Sequence, residues 1–325
     1  MKKLSVGVIM GGPSSEHEIS LLTGRAFLKN LDCKAYRVRA IAISKKNEWS
    51  SDGKRVSPER ALKGLDVALL ALHGEFGEDG RLQALLEHHG LPYTGSGVVA
   101  SALGMDKLAS RSVFRAHGLF VPATAHFIRK EVRGGLGSIR QKIRASCGRH
   151  PWIIKPRSRG SSVGVSLVHS PQKLSGAVKA ALRFEDNILA EEYLSGVEVT
   201  VPILERTPER PEALPLVEIR PRKSAFFDYK EKYSGEKGAE EIVPARIPKR
   251  LARRTIEAGL AAYRLLGCKG YARVDVICSR GRPYVLELNT LPGMTPVSLF
   301  PKSAQASGIA YSQLLDILIA DALRQ

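Results

Sequence analysis

Two carboxylates, an amide and a guanidinium stand in Gly267–Thr295, GCKGYARVDVICSRGRPYVLELNTLPGMT, at spacings that a β-hairpin would gather onto one face. Apolar and polar residues alternate from Tyr271 to Cys278, and the pattern resumes from Pro283 to Asn289. Period-2 alternation puts Arg273 and Asp275 on one side of the first strand, with Val274 and Val276 on the other. On the second strand Val285, Glu287 and Asn289 share a face, while Tyr284, Leu286 and Leu288 point away. Ser279-Arg280-Gly281 suits a three-residue connection, because Gly281 tolerates a positive φ. With the polar faces in register, Asp275, Glu287 and Asn289 make a set of hard oxygen ligands suited to Mg²⁺, which would bring a polyphosphate with it. A plain solvent-facing hairpin is the competing description. It accounts less well for strands that are otherwise apolar and for the Pro292-Gly293 turn that follows at once.

Two lysines upstream suit the same polyphosphate. Lys155 ends the strand-like run Trp152-Ile153-Ile154-Lys155-Pro156, and the Gly/Ser-rich loop Arg157–Ser162 follows before Val163–Val168 resumes the sheet. Such a loop can wrap backbone N–H groups around phosphates. Lys107 falls in the first turn of a helix expected over Asp106–Ala116. A cation there opposes the helix dipole, so it either reaches away or has an anionic partner. The dinucleotide fingerprint is absent, since Gly11-Gly12-Pro13-Ser14 is not G-x-G-x-x-G, and no G-x-x-x-x-G-K-[ST] loop occurs.

The elements that carry these residues alternate in type. Leu4–Met10 reads as a buried strand, and a helix begins at Glu16 with Ser14 or Ser15 as its N-cap. Lys34–Ile43 and Val67–Ala71 read as further strands of an open parallel α/β sheet. Ligands of such sheets sit beyond the carboxyl ends of the strands, where Glu16 and His73 fall. Arg206–Pro215 reads as a polar, proline-rich connection, and 221–244 as a long loop of the kind that serves as a lid. Helices are expected over Lys249–Leu266 and Tyr311–Leu323.

Composition narrows the class. The chain has 325 residues, 43% of them hydrophobic, a net charge of +18 and a pI near 9.9. That length suits two domains or three lobes. The basic excess gathers in Arg129–Arg149 and Arg246–Arg254, without the interleaved aromatics that base stacking uses, so solvated helix faces describe it best. Nucleic-acid binding is the outlying alternative. The four cysteines are scattered, which argues against a zinc site or a disulfide framework and for a cytoplasmic protein. The start, MKKLSVGVIMGG, fits a first strand better than a signal peptide, and no apolar run is long enough for a membrane span.

In order along the chain stand GGPSSEHEIS (Gly11–Ser20), HGEFGEDG (His73–Gly80), MDK (Met105–Lys107), IIKP (Ile153–Pro156) and GSSVGV (Gly160–Val165). EEYLSGVEVTV (Glu191–Val201), FDYKEKY (Phe227–Tyr233), ARVDV (Ala272–Val276) and LELNTLPGMTPVSL (Leu286–Leu299) follow. This ordered set resembles the ATP-grasp ligases, and among them the D-alanine–D-alanine ligase family, over nearly the whole chain. The resemblance implies an N-terminal open parallel α/β domain (1–100), a central ATP-grasp lobe (101–186) and a C-terminal lobe (187–325) with the lid at 221–244.

It also implies a reaction and roles. ATP would phosphorylate the carboxylate of a first D-alanine, and the amine of a second would attack the acyl phosphate, as a step toward peptidoglycan. Lys107 and Lys155 would hold phosphates, which Gly160, Ser161 and Ser162 would cover. Glu191, Tyr193 and Leu194 would frame the adenine, and Glu198 the ribose. Asp275, Glu287 and Asn289 would bind two Mg²⁺, or Mn²⁺. Glu16 would pair with the first ammonium and join Ser161 and Tyr233 in closing the site, with Lys232 beside them on the lid. Arg273 and the Gly293 N–H would form an oxyanion hole, Ser298 and Leu299 would take the second carboxylate, and His73 would orient the substrate region. A homodimer is implied as well. Phe227 departs from the tyrosine of many relatives, which touches one loop hydrogen bond. Tyr233 favours an amine over D-lactate as acceptor, though another dipeptide or D-alanine–D-lactate ligase is the nearest alternative.

Overall fold

Seven of the eight residues of β1 (Leu4–Gly11) are buried, as expected of a strand with parallel neighbours on both sides and covered faces. Those neighbours are β2 (Tyr36–Ile43) and β5 (Val67–Leu70). The computed structural model describes residues 3–161, 163–207, 209–221 and 239–324. Ser162, Phe227, Lys232, Tyr233 and all but the ends of the expected 221–244 lid lie outside the described residues. Beyond β2 the sheet turns antiparallel through β3 (Trp49–Ser51) and β4 (Lys54–Arg55), giving the order β4-β3-β2-β1-β5. Only β2, β1 and β5, at one end of that order, are parallel. The short edge folds back through Asp52 and Gly53, both at positive φ, a turn whose twist matches a hairpin.

The first helix, His17–Asn30, starts one residue later than expected. Glu16 occupies its N-cap position but makes no capping bond through its side chain. Neither Ser14 nor Ser15 is the cap. The Ser14 hydroxyl accepts the Glu16 N–H at 3.1 Å and donates to the His73 carbonyl at 2.6 Å, so it joins the ends of two strands instead.

A second sheet, wholly antiparallel, has the order β6-β9-β7-β8, where β6 is Thr124–Ile128, β7 Trp152–Pro156, β8 Ser166–Val168 and β9 Asn187–Glu192. Ile139 and Ile143 of one helix and Leu174 and Val178 of another fill its core. On the outward faces Arg133, Arg140, Lys142 and Arg144 are exposed.

The third sheet runs β13-β12-β10-β14-β15, with β11 also on β10. Its strands are β10 (Val197–Thr207), β11 (Arg210–Ala213), β12 (Val217–Arg220), β13 (Glu240–Ile242), β14 (Tyr271–Ser279) and β15 (Arg282–Asn289). The connection expected over Arg206–Pro215 therefore contains a strand. Pro211 is tolerated because β11 pairs with β10 alone. Helix Lys249–Leu265 lays Ala258, Ala262 and Tyr263 against Val199, Val201, Val274 and Val276. The last helix, Tyr311–Ala322, sends Leu314, Leu315, Leu318 and Ile319 into the core of the first sheet. Among the described residues no helix is long and apolar enough to cross a membrane.

Candidate active site

Register decides whether the polar hairpin is a site, and the register brings its groups together. Asp275 pairs with Glu287 and Arg273 with Asn289 across β14 and β15. The alternation fails at one point. Between Asp275 and Val276 the pairing slips, so that Val276 faces Val285 and Leu286 is an extra residue. This β-bulge turns Val285 onto the apolar face, where it is fully buried, and Leu286 into the cavity beside Glu287. Val285 does not share a face with Glu287 and Asn289, and Leu286 does not point away. The connection is also one residue shorter than expected. Arg280 and Gly281 alone form the turn, both at positive φ, and Ser279 pairs with Arg282.

Asp275 is buried and held from four directions. Its Oδ1 accepts from Thr200 Oγ1 at 2.7 Å and from Arg273 Nε at 2.9 Å. Its Oδ2 accepts from Arg273 Nη2 at 2.9 Å and Asn289 Nδ2 at 3.1 Å. Burial works against the Arg273 charge, but the Asp275 carboxylate outweighs it and raises the proton affinity of the guanidinium.

Glu287 lies 3.1 Å from Lys107 Nζ. This is the anionic partner that a first-turn lysine calls for. The Lys107 ammonium also donates to the Arg159 carbonyl at 2.8 Å, which ties the Arg157–Ser162 loop to the hairpin. Lys155, at the end of β7, lies 2.9 Å from Glu191 Oε1, and Arg111 reaches the same oxygen. Burial and the Arg111 charge lower the Lys155 pKa to about 8. Burial acts to raise the Glu191 pKa, yet the Arg111 and Lys155 cations override it and hold the carboxyl below its ordinary value.

A cavity of about 410 Å³ opens between the second and third sheets, lined by Lys155, Glu191, Tyr193 and Leu194 among others. A second, of about 360 Å³, reaches the first sheet and is lined by Glu16, His73, Gly160, Ser161, Arg273, Asn289, Gly293, Ser298 and Leu299. Lys107, Glu198, Asp275 and Glu287 line both. Every described residue singled out from the sequence therefore faces one cavity or both, and the acidic pair stands where they join.

Within the second cavity Ser161 Oγ donates to Glu16 Oε1. Ser161 holds a φ of 52° to do so, a strained setting for a residue with a Cβ. A Cβ on Gly160 would lie 3.1 Å from Glu16 Oε2, close enough that the Glu16 carboxylate would have to shift slightly. Ser298 takes the N-cap position of helix Leu299–Ala306 without capping it, and its hydroxyl meets Thr295 Oγ1 at 2.7 Å. His73 is buried between Thr23 Oγ1, 2.9 Å from Nε2, and the Leu291 carbonyl, 3.0 Å from Nδ1. Burial lowers its pKa, which keeps the ring neutral, with Nδ1–H donating to the carbonyl.

Three contributors escaped the sequence reading. Arg111 is signalled only by its position four residues after Lys107, on the same face of one helix. Glu78 lies inside the HGEFGEDG motif, but the motif alone gives it no partner. Thr200 carries no signal beyond its place on a strand.

The donor set of Asp275, Glu287 and Asn289 is all oxygen, in keeping with a hard cation that takes its remaining ligands from phosphate and water. Among the described residues no group of three or more His, Cys, Asp or Glu side chains is gathered as for a metal. Two carboxylates and an amide fit a cation that arrives with its nucleotide better than one held by the protein alone.

Family models bear directly on this geometry. The model for the C-terminal part of D-ala D-ala ligase matches residues 113–320, and that for the N-terminal part matches 5–61 and 50–96. The chain belongs to the D-alanine–D-alanine ligase family. A D-alanine–D-alanine ligase of Geotalea uraniireducens is 41% identical over 323 residues, covering 99% of this chain and 96% of that one. One from Bacillus anthracis is 39% identical over 321 residues, with 99% and 98% covered. A crystal structure of the Bacillus anthracis ligase complexed with ATP superposes with a TM-score of 0.80 at 34% identity, over 99% and 98% of the two chains. A D-Ala:D-Ser ligase from Enterococcus faecalis superposes at 0.84 with 30% identity, over 99% and 100%. The ligase and the ATP-grasp fold implied by the motifs are thus those of the family.

Proposed function

We propose that this chain joins two D-alanine molecules into D-alanyl-D-alanine at the expense of ATP, supplying a precursor of peptidoglycan. The observation that carries the reading is the shared wall. Asp275 and Glu287 stand between a cavity with the proposed nucleotide residues and a cavity with the proposed amino-acid residues. Phosphoryl transfer from one compartment to the other has to pass that wall.

In the first step a carboxylate oxygen of the first D-alanine attacks the γ-phosphorus, and the bond to the bridging oxygen breaks to release ADP. In the second, the amine of the second D-alanine attacks the acyl carbon, loses a proton and expels phosphate. Lys107 and Lys155 act as point charges on the phosphates. Glu191, Tyr193, Leu194 and Glu198 hold the nucleoside. Glu16, oriented by Ser161, takes the first ammonium. Arg273 and the Gly293 N–H receive the developing oxyanion, where fixed donors count most. Ser298 and the Leu299 N–H, at a helix N-terminus, suit the second carboxylate. His73, locked as a neutral ring, positions rather than transfers a proton. Asp275, Glu287 and Asn289 would hold two Mg²⁺, or Mn²⁺, and bound cations would supply positive charge against the transferring phosphoryl group. Asn289, whose Nδ2 donates to Asp275, would offer its amide oxygen to a cation. Tyr233 and Lys232, on the proposed lid, would exclude water, which matters because acyl phosphates hydrolyse.

Three sheets agree with three parts, although β9 (Asn187–Glu192) belongs to the second sheet and carries the central part past residue 186; a cytoplasmic homodimer is the assembly that the resemblance implies. The test is release of phosphate by purified protein with ATP, Mg²⁺ and D-alanine, with the product identified by mass. Release with D-alanine alone supports the reading. Release only when D-serine or D-lactate is added reassigns the acceptor, in line with the likeness to a D-Ala:D-Ser ligase. Absence of release with any of them overturns the reading.

A further inference from the structure

Arg111 lines neither cavity, yet it is bonded to the walls of the first. It is 2% exposed, on the helix that begins with Lys107. Its Nε donates to the Leu286 carbonyl at 2.7 Å, at the bulge of the hairpin, and its Nη1 donates to Glu191 at the end of β9. Glu191 Oε1 is the same atom that Lys155 reaches from β7. One side chain thus links the helix of Lys107, the strand of Glu287 and the carboxylate that holds Lys155.

We propose that Arg111 is a positioning residue for the nucleotide phosphates, sharing Glu191 with Lys155 so that the lysine is held in place but not neutralised. The argument is electrostatic. A buried lysine alone with a buried carboxylate forms a closed pair, and an incoming phosphate must break it. A second cation on the same oxygen divides the carboxylate's attraction and leaves a net positive charge at the cavity. After burial, the Arg111 charge lowers the Lys155 pKa by more than the Glu191 charge raises it, as a shared carboxylate requires. The Leu286 tether adds geometry. It fixes the bulge, and hence Glu287, relative to Glu191, so the phosphate-binding lysines and the acidic wall move as one unit. This inference rests on the nucleotide reading of the first cavity.

The test compares Arg111→Met and Arg111→Lys with the wild type by steady-state kinetics and by direct titration of ATP. In Arg111→Met the KM for ATP and its dissociation constant rise by about tenfold, the fold-change matching one charge-assisted hydrogen bond, while the KM for D-alanine stays within about twofold. Arg111→Lys restores most of the ATP affinity because it keeps the charge. Adding Glu191→Gln to Arg111→Met gives a loss smaller than the sum of the two single losses, since both act on one ion cluster. ATP binding that is equal in folded Arg111→Met and wild type overturns the inference. Equal loss in KM for both substrates, or additive losses in the double variant, overturns it as well. If Arg111→Met does not fold, Arg111→Lys carries the test, and failure to retain ATP affinity there sinks the charge-sharing argument. Failure of the wild type itself to bind ATP is a separate result and removes the nucleotide reading instead.

Discussion

Glu78 holds Leu291 by its backbone across 213 positions of sequence, with Oε1 accepting the Leu291 N–H at 3.0 Å. Its other oxygen accepts the Gly74 N–H at 2.7 Å, and His73 meets the Leu291 carbonyl. Both polar atoms of the Leu291 backbone are therefore pinned by the loop that follows β5. Leu291 lies two residues beyond Asn289 and two before Gly293, so the clamp sets where the hairpin ends and where the proposed oxyanion donor begins.

That clamp predicts a pH signature. Burial, with the Glu16 charge second, raises the Glu78 pKa to about 8 from 4.5. Between those values the folded protein keeps a proton that the unfolded chain has released, so stability falls as pH rises. The decline starts near pH 4.5 and is complete above pH 8. Glu78→Gln has no such group. Its Tm, measured against wild type from pH 5 to 9, should gain on the wild type as pH rises. A constant difference across that window would contradict the assignment.

The β14–β15 hairpin shows what alternation can and cannot say. Period-2 spacing is a local property: it put Arg273 with Asp275 and Glu287 with Asn289, and only the register shows that the two faces coincide. The bulge depends on one extra residue being tolerated, which no alternation records, so Val285 and Leu286 exchanged faces. Long-range partners were out of reach for a different reason. Arg111 meets a carboxylate 80 positions away and Glu78 an amide 213 away. Both are ordinary charged residues until the fold brings their partners. The motif resemblance reached the rest of the site because it treats distant segments together.

The metal role is best tested at Asn289. Asp275→Asn would leave the buried Arg273 without its partner, and breaking a buried pair costs about 3–5 kcal/mol, which confounds activity with folding. Asn289→Ala removes one hydrogen bond to Asp275, about 1 kcal/mol, and one proposed cation ligand. Its Mg²⁺ requirement should rise by about tenfold or more, while Tm shifts by a few degrees. An unchanged Mg²⁺ requirement would remove Asn289 from the metal site.

Chelation should stop turnover yet leave the Tm of the nucleotide-free protein where it was. Protein donors already satisfy Asp275, and Lys107 pairs with Glu287. Loss of thermal stability on adding a chelator, without nucleotide, would mean that a cation belongs to the resting fold.

Ser161 separates strain from function. Its hydroxyl bonds Glu16, while its φ of 52° suits glycine. Ser161→Ala and Ser161→Gly both lose the bond, so both should raise the KM for D-alanine. Only the glycine variant relieves the backbone, and it should be more stable than the alanine variant by about 1 kcal/mol. Equal stabilities, measured by urea titration, would show that the loop relaxes when the hydroxyl is gone.

Gly293 tests whether the oxyanion donor needs space as well as an N–H. An alanine there keeps the backbone donor, but its Cβ would lie 3.2 Å from Ser298 Oγ, inside the second cavity. That distance asks for a few tenths of an ångström of adjustment at Ser298, whose hydroxyl also meets Thr295. Ser298 and Leu299 are the proposed receivers of the second carboxylate, so the second D-alanine should suffer first. Gly293→Ala should raise the KM for the acceptor, with nucleotide affinity unchanged and Tm within a few degrees of wild type. Positional isotope exchange in ATP, driven by the first D-alanine, should persist because acyl phosphate formation does not need the crowded pocket. If exchange and ligation fall together, Gly293 acts on the first step, and its N–H is not a donor reserved for the second.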